Sequence, residues 1–144
     1  MTQNRSVPVD VLLPHLHYRD LEAAIAWLNK AFGFREHFRY GDPISGAQLQ
    51  LGDAYIMVQT EREHGKSPAT LGAATQSLTI ILDNVDGHFS RAKSAGAAIV
   101  EEPHETVYGE YQYAAHDPDG HLWIFSRHAR DLSPEDWGAT LARQ

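Results

Sequence analysis

The stretch from Val107 to Phe125 reads VYGEYQYAAHDPDGHLWIF and decides the fold of the second half of the chain. Its centre, Asp117-Pro118-Asp119-Gly120, predicts a tight turn, because proline presets φ at the first central position and glycine accepts a positive φ. Runs rich in aromatic and β-branched residues flank this turn, at 111–115 and 122–125. Two such runs across a glycine-containing turn predict a β-hairpin.

The composition is that of an ordinary globular domain, with 42% hydrophobic and 22% charged residues in a chain of 144. The lack of cysteine excludes disulfides, thiolate catalysis and cysteine-ligated zinc. A net charge of −7 without a basic cluster argues against a nucleic-acid partner. No apolar run approaches the roughly 20 residues of a membrane span. The N-terminus lacks the apolar region of a signal peptide, so we expect no membrane partner and a cytoplasmic location.

One pattern, a strand and a helix followed by three strands, occurs twice along the chain. In the first copy, an apolar strand at 8–18 precedes a helix that Asp20 caps and Gly33 ends. A strand at 34–40 follows, and then a hairpin of residues 47–51 and 54–60 turns at Gly52-Asp53.

The second copy begins with a strand at 76–82 and a helix capped by Asp83 or Asn84. A strand at 97–100, a loop at 101–108 and the closing hairpin complete it. Asp83 follows Asp20 by 63 positions, and Gly96 follows Gly33 by the same interval. The repeat predicts a single α+β domain of two βαβββ modules that pack together, at about 9–60 and 76–128. A linker at 61–75 joins them, and a tail at 129–144 contains a helix start at Ser133-Pro134.

These features together resemble the vicinal oxygen chelate superfamily, which includes glyoxalase I, extradiol dioxygenases and bleomycin-resistance proteins. The resemblance covers about residues 9–128 and is carried by AFGF after the first helix, SAGA after the second, and the YGE…DPDGHLW hairpin. It implies two curved mixed sheets around a concave pocket and favours a homodimer. It does not fix the function, because one fold hosts several.

Metal-dependent members of that superfamily place one His, Glu or Gln on each of four strands. The corresponding positions in this chain hold Leu13, Met57, Ser77 and Ile124. None of these side chains suits that role. A shift of two residues would substitute His15 for Leu13, since alternate residues of a strand share a face, but it would leave the other three unchanged. We therefore expect a site with no metal, and no cofactor.

Nine residues are candidates for ligand binding: strand alternation selects seven, and two tyrosines of the closing hairpin are added although alternation does not decide their face. Histidines can bind a ligand or act as general acid or base near neutral pH, and amides can orient a ligand by hydrogen bonds. Methionine and tyrosine offer adaptable and aromatic surfaces to a flat organic molecule. Each residue could instead occupy an ordinary solvated face or the core. The candidates are His15, His17, Gln48, Gln50, Tyr55, Met57, Gln59, Tyr111 and Tyr113.

Two functions follow from the resemblance and these residues. The first is a metal-free small-molecule-binding protein that sequesters an antibiotic or another toxic aromatic compound; the acidic surface would also favour a cationic ligand. The alternative is an enzyme of the lyase, isomerase or dioxygenase type that uses His15 or His17 as metal ligand or general base.

Overall fold

A computed structural model describes residues 3–9 and 11–142 and contains two four-stranded mixed sheets. In each sheet the first strand pairs in parallel with the last strand of its module, and the other neighbours are antiparallel. The first sheet has the spatial order β1-β4-β3-β2. Its elements are β1 (His15–Tyr18), α1 (Leu21–Phe32), β2 (Arg35–Tyr40), β3 (Gly46–Leu51) and β4 (Ala54–Thr60).

The second sheet repeats this arrangement with the order β5-β8-β7-β6, which confirms the α+β fold of two βαβββ modules. A short helix, α2, precedes it, and a 3₁₀ turn at Pro134–Trp137 follows it. The elements are α2 (Pro68–Leu71), β5 (Ser77–Ile81), α3 (Val85–Ser94), β6 (Ala98–Glu105), β7 (Glu110–His116) and β8 (Leu122–His128).

Two strand boundaries differ from the sequence prediction. β1 starts at His15 rather than at Pro8, because Pro8 and Pro14 lack the N–H that pairing requires. Residues 101–105, predicted as a loop, continue β6. β6 is an edge strand with two register irregularities, a place where a sheet tolerates Pro103.

Equivalent side chains cap the two long helices. The Asp20 carboxylate accepts a hydrogen bond from the Ala23 N–H at 3.1 Å, as predicted. In the second module Asn84, rather than Asp83, is the cap and accepts from the Gly87 N–H at 2.9 Å. Each cap satisfies one backbone donor that the first turn of a helix leaves without a partner.

The aromatic end of α1 packs into the second module. The ring of Phe32 lies 5.8 Å from Trp123 and 4.8 Å from Phe125, centroid to centroid. Trp123 and Phe125 are fully buried beside the helices. The hydrophobic cores of the two modules are therefore continuous.

Polar contacts from α3 secure the same end of α1. His88 Nε2 lies 2.8 Å from the Phe32 carbonyl oxygen, and His88 Nδ1 lies 2.5 Å from the Tyr113 hydroxyl. The Arg91 guanidinium donates to the Asn29 and Lys30 carbonyls at 2.8 and 2.9 Å. These bonds satisfy carbonyls that the last turn of a helix cannot pair internally.

The Asp117–Gly120 turn joins the modules at the opposite end of α1. The Asp117 carboxylate is buried and accepts from the Tyr18 hydroxyl at 2.7 Å and from Trp123 Nε1 at 3.1 Å. It also accepts from the backbone N–H groups of Asp119 and His121. Burial, and then the neighbouring Asp117 carboxylate, raise the pKa of Tyr18, so its hydroxyl remains a donor.

Asp119 within the turn and His121 after it also contact β1 and the residue that follows β1. Asp119 accepts from the Arg19 backbone N–H at 2.8 Å and from the Arg19 side chain at 3.2 Å. His121 is buried: its Nε2 lies 2.8 Å from the His17 carbonyl and its ring packs against Tyr18. The turn is thus an inter-module joint as well as a hairpin connection.

Candidate functional site

The candidate site begins with a row of side chains across three strands of the first sheet. We call the side of this sheet that faces away from α1 the distal face. His15 on β1 pairs with Met57 on β4, which pairs in turn with Gln48 on β3. Leu16, Leu49 and Val58 alternate with this row and are buried on the helix side. A polar row on one face and an apolar row on the other follow from the period of two in each strand.

Gln48 is the centre of the row and is fully buried. Its side-chain Oε1 lies 2.6 Å from His37 Nδ1, and its Nε2 donates to the Ser6 carbonyl at 3.0 Å. The same Nε2 lies 3.5 Å from the Met57 sulfur. The amide therefore has a fixed orientation, with a donor and an acceptor aimed along the distal face.

The neighbouring rows complete the distal face. Tyr55 lies opposite Gln50, whose side-chain amide donates to the Gly52 carbonyl at 3.1 Å. Gln59 lies between His17 and Gly46 and donates to the Tyr40 hydroxyl at 3.3 Å. The structure thus gathers six of the predicted residues into one strip: His15, Gln48, Gln50, Tyr55, Met57 and Gln59.

His17 shares this face but is covered by the linker. A side chain at Gly65 would collide with the His17 ring, which shows how closely the linker backbone lies against it. Partial burial lowers the pKa of His17, and the charge of Arg62 and two neighbouring imidazoles lower it further. The linker, predicted as a plain loop, forms a bridge between Arg62 and Gly65 and contains α2. His17 is therefore less open than His15.

Tyr111 and Tyr113 lie on the helix side of the second sheet, away from the distal face. Tyr113 is fully buried between Phe89 and Phe125, and burial raises its pKa. The Tyr111 hydroxyl donates to Asp86 of α3 at 2.6 Å. Their prediction as ligand-binding residues is corrected, because the strand register turns both rings towards α3.

A cavity of about 390 Å³ lies where the two modules meet beside the distal face. Tyr55 and Ile56 line it from the first module, Ser77 and Thr79 from the second, and Leu12 from the segment before β1. Its volume falls in the range of roughly 300–1,000 Å³ that small-molecule sites occupy. A second cavity of about 400 Å³ lies between α1 and the Asp117–Gly120 turn and contains none of the predicted ligand residues.

The residues of the site do not fit a catalytic divalent metal. In the two strand pairs that correspond between the modules, His15 lies beside Met57 and Thr79 beside Ile124. This set offers one imidazole, a thioether, a hydroxyl and an aliphatic chain, where such metals require several nitrogen or carboxylate donors. Within residues 3–9 and 11–142, no three His, Asp or Glu side chains lie close enough together to hold an ion.

Two residues of the site were missed by the sequence analysis. His37 reaches Gln48 because the register of β2 shifts between Glu36 and Phe38, and strict alternation cannot predict such a bulge. Thr79 lies two residues after Ser77 on the same face of β5, so strand alternation alone could have identified it.

The fold is that of a protein of two βαβββ modules, with a cavity where the modules meet. The chain matches the family model of the Glyoxalase/Bleomycin resistance protein/Dioxygenase superfamily over residues 12–125. It belongs to this superfamily, as the sequence resemblance predicted.

Similar proteins include both solved structures and sequence relatives. TioX from Micromonospora sp. ML1 is 32% identical with a TM-score of 0.69, covering 86% of this chain and 100% of TioX. A bleomycin resistance determinant encoded on the transposon Tn5 is 25% identical with a TM-score of 0.67, covering 83% of this chain and 98% of that one. An uncharacterized protein of Mycobacterium tuberculosis strain H37Rv is 28% identical over 92% of this chain and 83% of its own.

In the described part of the chain, no helix has the length and apolar character needed to cross a membrane.

Proposed function

We propose that the protein binds and sequesters an antibiotic or another toxic aromatic compound, without a metal and without chemical conversion. The observation that carries this proposal is the cavity of about 390 Å³ that adjoins the distal face. Its walls combine apolar surface with the Tyr55 ring and the hydroxyls of Ser77 and Thr79. A mostly apolar wall with a few placed polar groups suits an organic molecule of moderate size.

The chemistry of the distal face supports binding over catalysis. Its central groups are amides and a thioether, which hold a ligand but do not transfer protons near neutral pH. The enzyme alternative depends on His15 or His17 as metal ligand or general base. His17 lies under the linker at Gly65, and His15 lies beside Met57, which offers only a weak acceptor.

The proposed ligand class draws on the structural relatives as well. The Tn5 protein is a bleomycin resistance determinant at 25% identity, and its fold matches most of this chain. We take bleomycin as the first probe because it joins an aromatic part, peptide amides and a cationic tail; only a part of so large a molecule would enter the cavity of about 390 Å³. A net charge of −7 favours the approach of such a cation.

We propose that the functional form is a homodimer. Within one chain the modules meet through the end of α1 and through the Asp117–Gly120 turn, both on the helix side of the sheets. Thr79 and Ile124 lie on the other side of the second sheet, and a second copy could extend the cavity by placing its distal face opposite them. Sedimentation at several concentrations tests the dimer, and a monomer at every concentration would contradict it.

Calorimetric titration of bleomycin A2 into untagged protein tests the proposed function. We expect saturable binding, and we expect mass spectrometry to recover bleomycin unchanged. Tyr55→Leu should weaken binding about tenfold through loss of aromatic contact. Tyr108→Leu is the matched control, since Tyr108 is exposed and packs against Trp137 of the tail.

Two results would contradict the proposal. A chemically altered product would indicate an enzyme. One equivalent of nickel, zinc, iron or manganese in protein purified without chelators would indicate a metal site, and would return the enzyme alternative to first place.

A further inference from the structure

The N-terminal residues 3–9, which we call the strap, lie against the distal face. The Asn4 side chain accepts from the backbone N–H groups of Ser6 and Val7 at 3.1 and 3.0 Å. This turn leaves the Ser6 carbonyl pointing towards Gln48, whose Nε2 donates to it at 3.0 Å. Val7 and Val9 are half-buried, whereas the remaining strap residues are exposed.

The contact with the strap uses the donor that a ligand would need. The acceptor oxygen of Gln48 already faces His37, and its amide nitrogen faces Ser6 and Met57. No buried side-chain nitrogen or oxygen in the described residues lacks a partner. A ligand that accepts from Gln48 Nε2 must therefore replace the Ser6 carbonyl or the Met57 sulfur as the partner of that nitrogen.

We propose that the strap is an intramolecular competitor that occupies the ligand face until a ligand replaces it. The inference rests on the proposed function, since Val9 of the strap lines the cavity and Ser6 contacts the distal face beside it. It also specifies ligand chemistry: the ligand presents a carbonyl or similar oxygen to Gln48 Nε2 in place of the Ser6 carbonyl. A peptide amide satisfies that requirement, because the strap itself meets it with a backbone carbonyl.

The strap is suited to displacement because little holds it. One hydrogen bond from Gln48 and the half-buried Val7 and Val9 hold the strap, whereas its other five residues are exposed and contribute little burial. Segments with few buried contacts open at low free-energy cost. When the competent state is only partly populated, the apparent affinity falls by that fraction.

The NMR resonances of the Gln48 side-chain amide show whether the strap contacts it, and this test needs no ligand. We compare ¹⁵N NMR spectra of the wild type and a full-length variant with glycine and serine at residues 3–7, assigning the amide by its loss in Gln48→Leu. The amide resonances should shift in the variant, and a synthetic peptide of residues 3–9 should move them back. Unchanged resonances in the variant would overturn the inference.

Titration of bleomycin A2 tests the competition itself. The strap variant should bind roughly 5- to 30-fold more tightly than the wild type. Asn4→Ala should show part of this gain, whereas Asn4→Asp keeps an acceptor for Ser6 and Val7 and should match the wild type. Equal affinity of strap variant and wild type would overturn competition. If neither protein binds bleomycin, bleomycin is not the ligand. The NMR comparison then tests the contact between the strap and Gln48 independently.

Discussion

The hairpins that close the two modules share a topology but differ in what their turns contact. The first turn, Gly52-Asp53, is exposed, and space around Gly52 is open. In the second turn, Asp117 is buried and accepts four hydrogen bonds, one of them from Tyr18 in the other module. One hairpin turn therefore only reverses the chain, whereas the other also holds the modules together.

The largest expected effect is the loss of the Asp117 carboxylate. Asp117→Ala leaves the hydroxyl of Tyr18, the indole N–H of Trp123 and two backbone donors without their acceptor in a buried place. We expect the free energy of unfolding to fall by about 3 to 5 kcal/mol. Urea denaturation followed by circular dichroism measures the change.

The matched control for this variant is Asp53→Ala in the first turn. Asp53 is exposed, so its replacement should change the free energy of unfolding by no more than about 0.5 kcal/mol. Similar losses in both variants would show that the two turns are equivalent, contrary to the comparison.

The sequence predicted the repeat, the two helices and the turns because each depends on local chemistry. Asp20 and Gly33 mark the ends of α1 through caps that lie within a few residues of their partners. The role of Asp117 could not be predicted, because Tyr18 is 99 residues away and only the packed modules bring them together.

The residues of the candidate site show the same difference between what local sequence can predict and what it cannot. Strand alternation gathered His15, Gln48 and Met57 correctly onto one face. It left the face of Tyr113 undecided, because the parity depends on where β7 begins, and it could not place His37, which a bulge redirects. The linker covers His17, but its polar sequence has no periodicity from which the position of the linker could be predicted.

The second expected effect concerns His88, the α3 residue that bonds the end of α1. His88→Gln loses the fixed pair of bonds to Phe32 and Tyr113 and the close ring contact with Phe125, which should cost about 2 kcal/mol at pH 7.5. Tyr18, the buried tyrosine of the first sheet, is not bonded to a helix histidine as Tyr113 is. Its hydroxyl donates to Asp117 instead. The variant therefore tests the joint at one end of α1 only.

The free energy of unfolding lost in His88→Gln should depend on pH in a definite direction. Burial lowers the pKa of His88, so the unfolded chain binds the proton more readily than the folded protein does. The contribution of His88 is fully present above the unfolded value of about 6.5 and is lost as the pH falls below it. The difference in stability between wild type and His88→Gln should therefore shrink from pH 7.5 to pH 5. The same change with pH in His64→Gln, an exposed histidine, would contradict this explanation.

The smallest expected effect comes from the two helix caps, where the modules are most alike. Asp20→Ala and Asn84→Ala each remove one side-chain acceptor from a first-turn N–H, so each should cost about 1 kcal/mol in urea denaturation. The loss for Asp20 should be the larger by a few tenths of a kcal/mol, because only its carboxylate also interacts with the positive end of the helix. This excess should disappear in high salt, which screens the charge but leaves the hydrogen bond. A larger loss for Asn84 would mean that the second helix depends more on its own cap than on the contacts of His88 and Arg91. It would also reverse the expected order of the two cap effects.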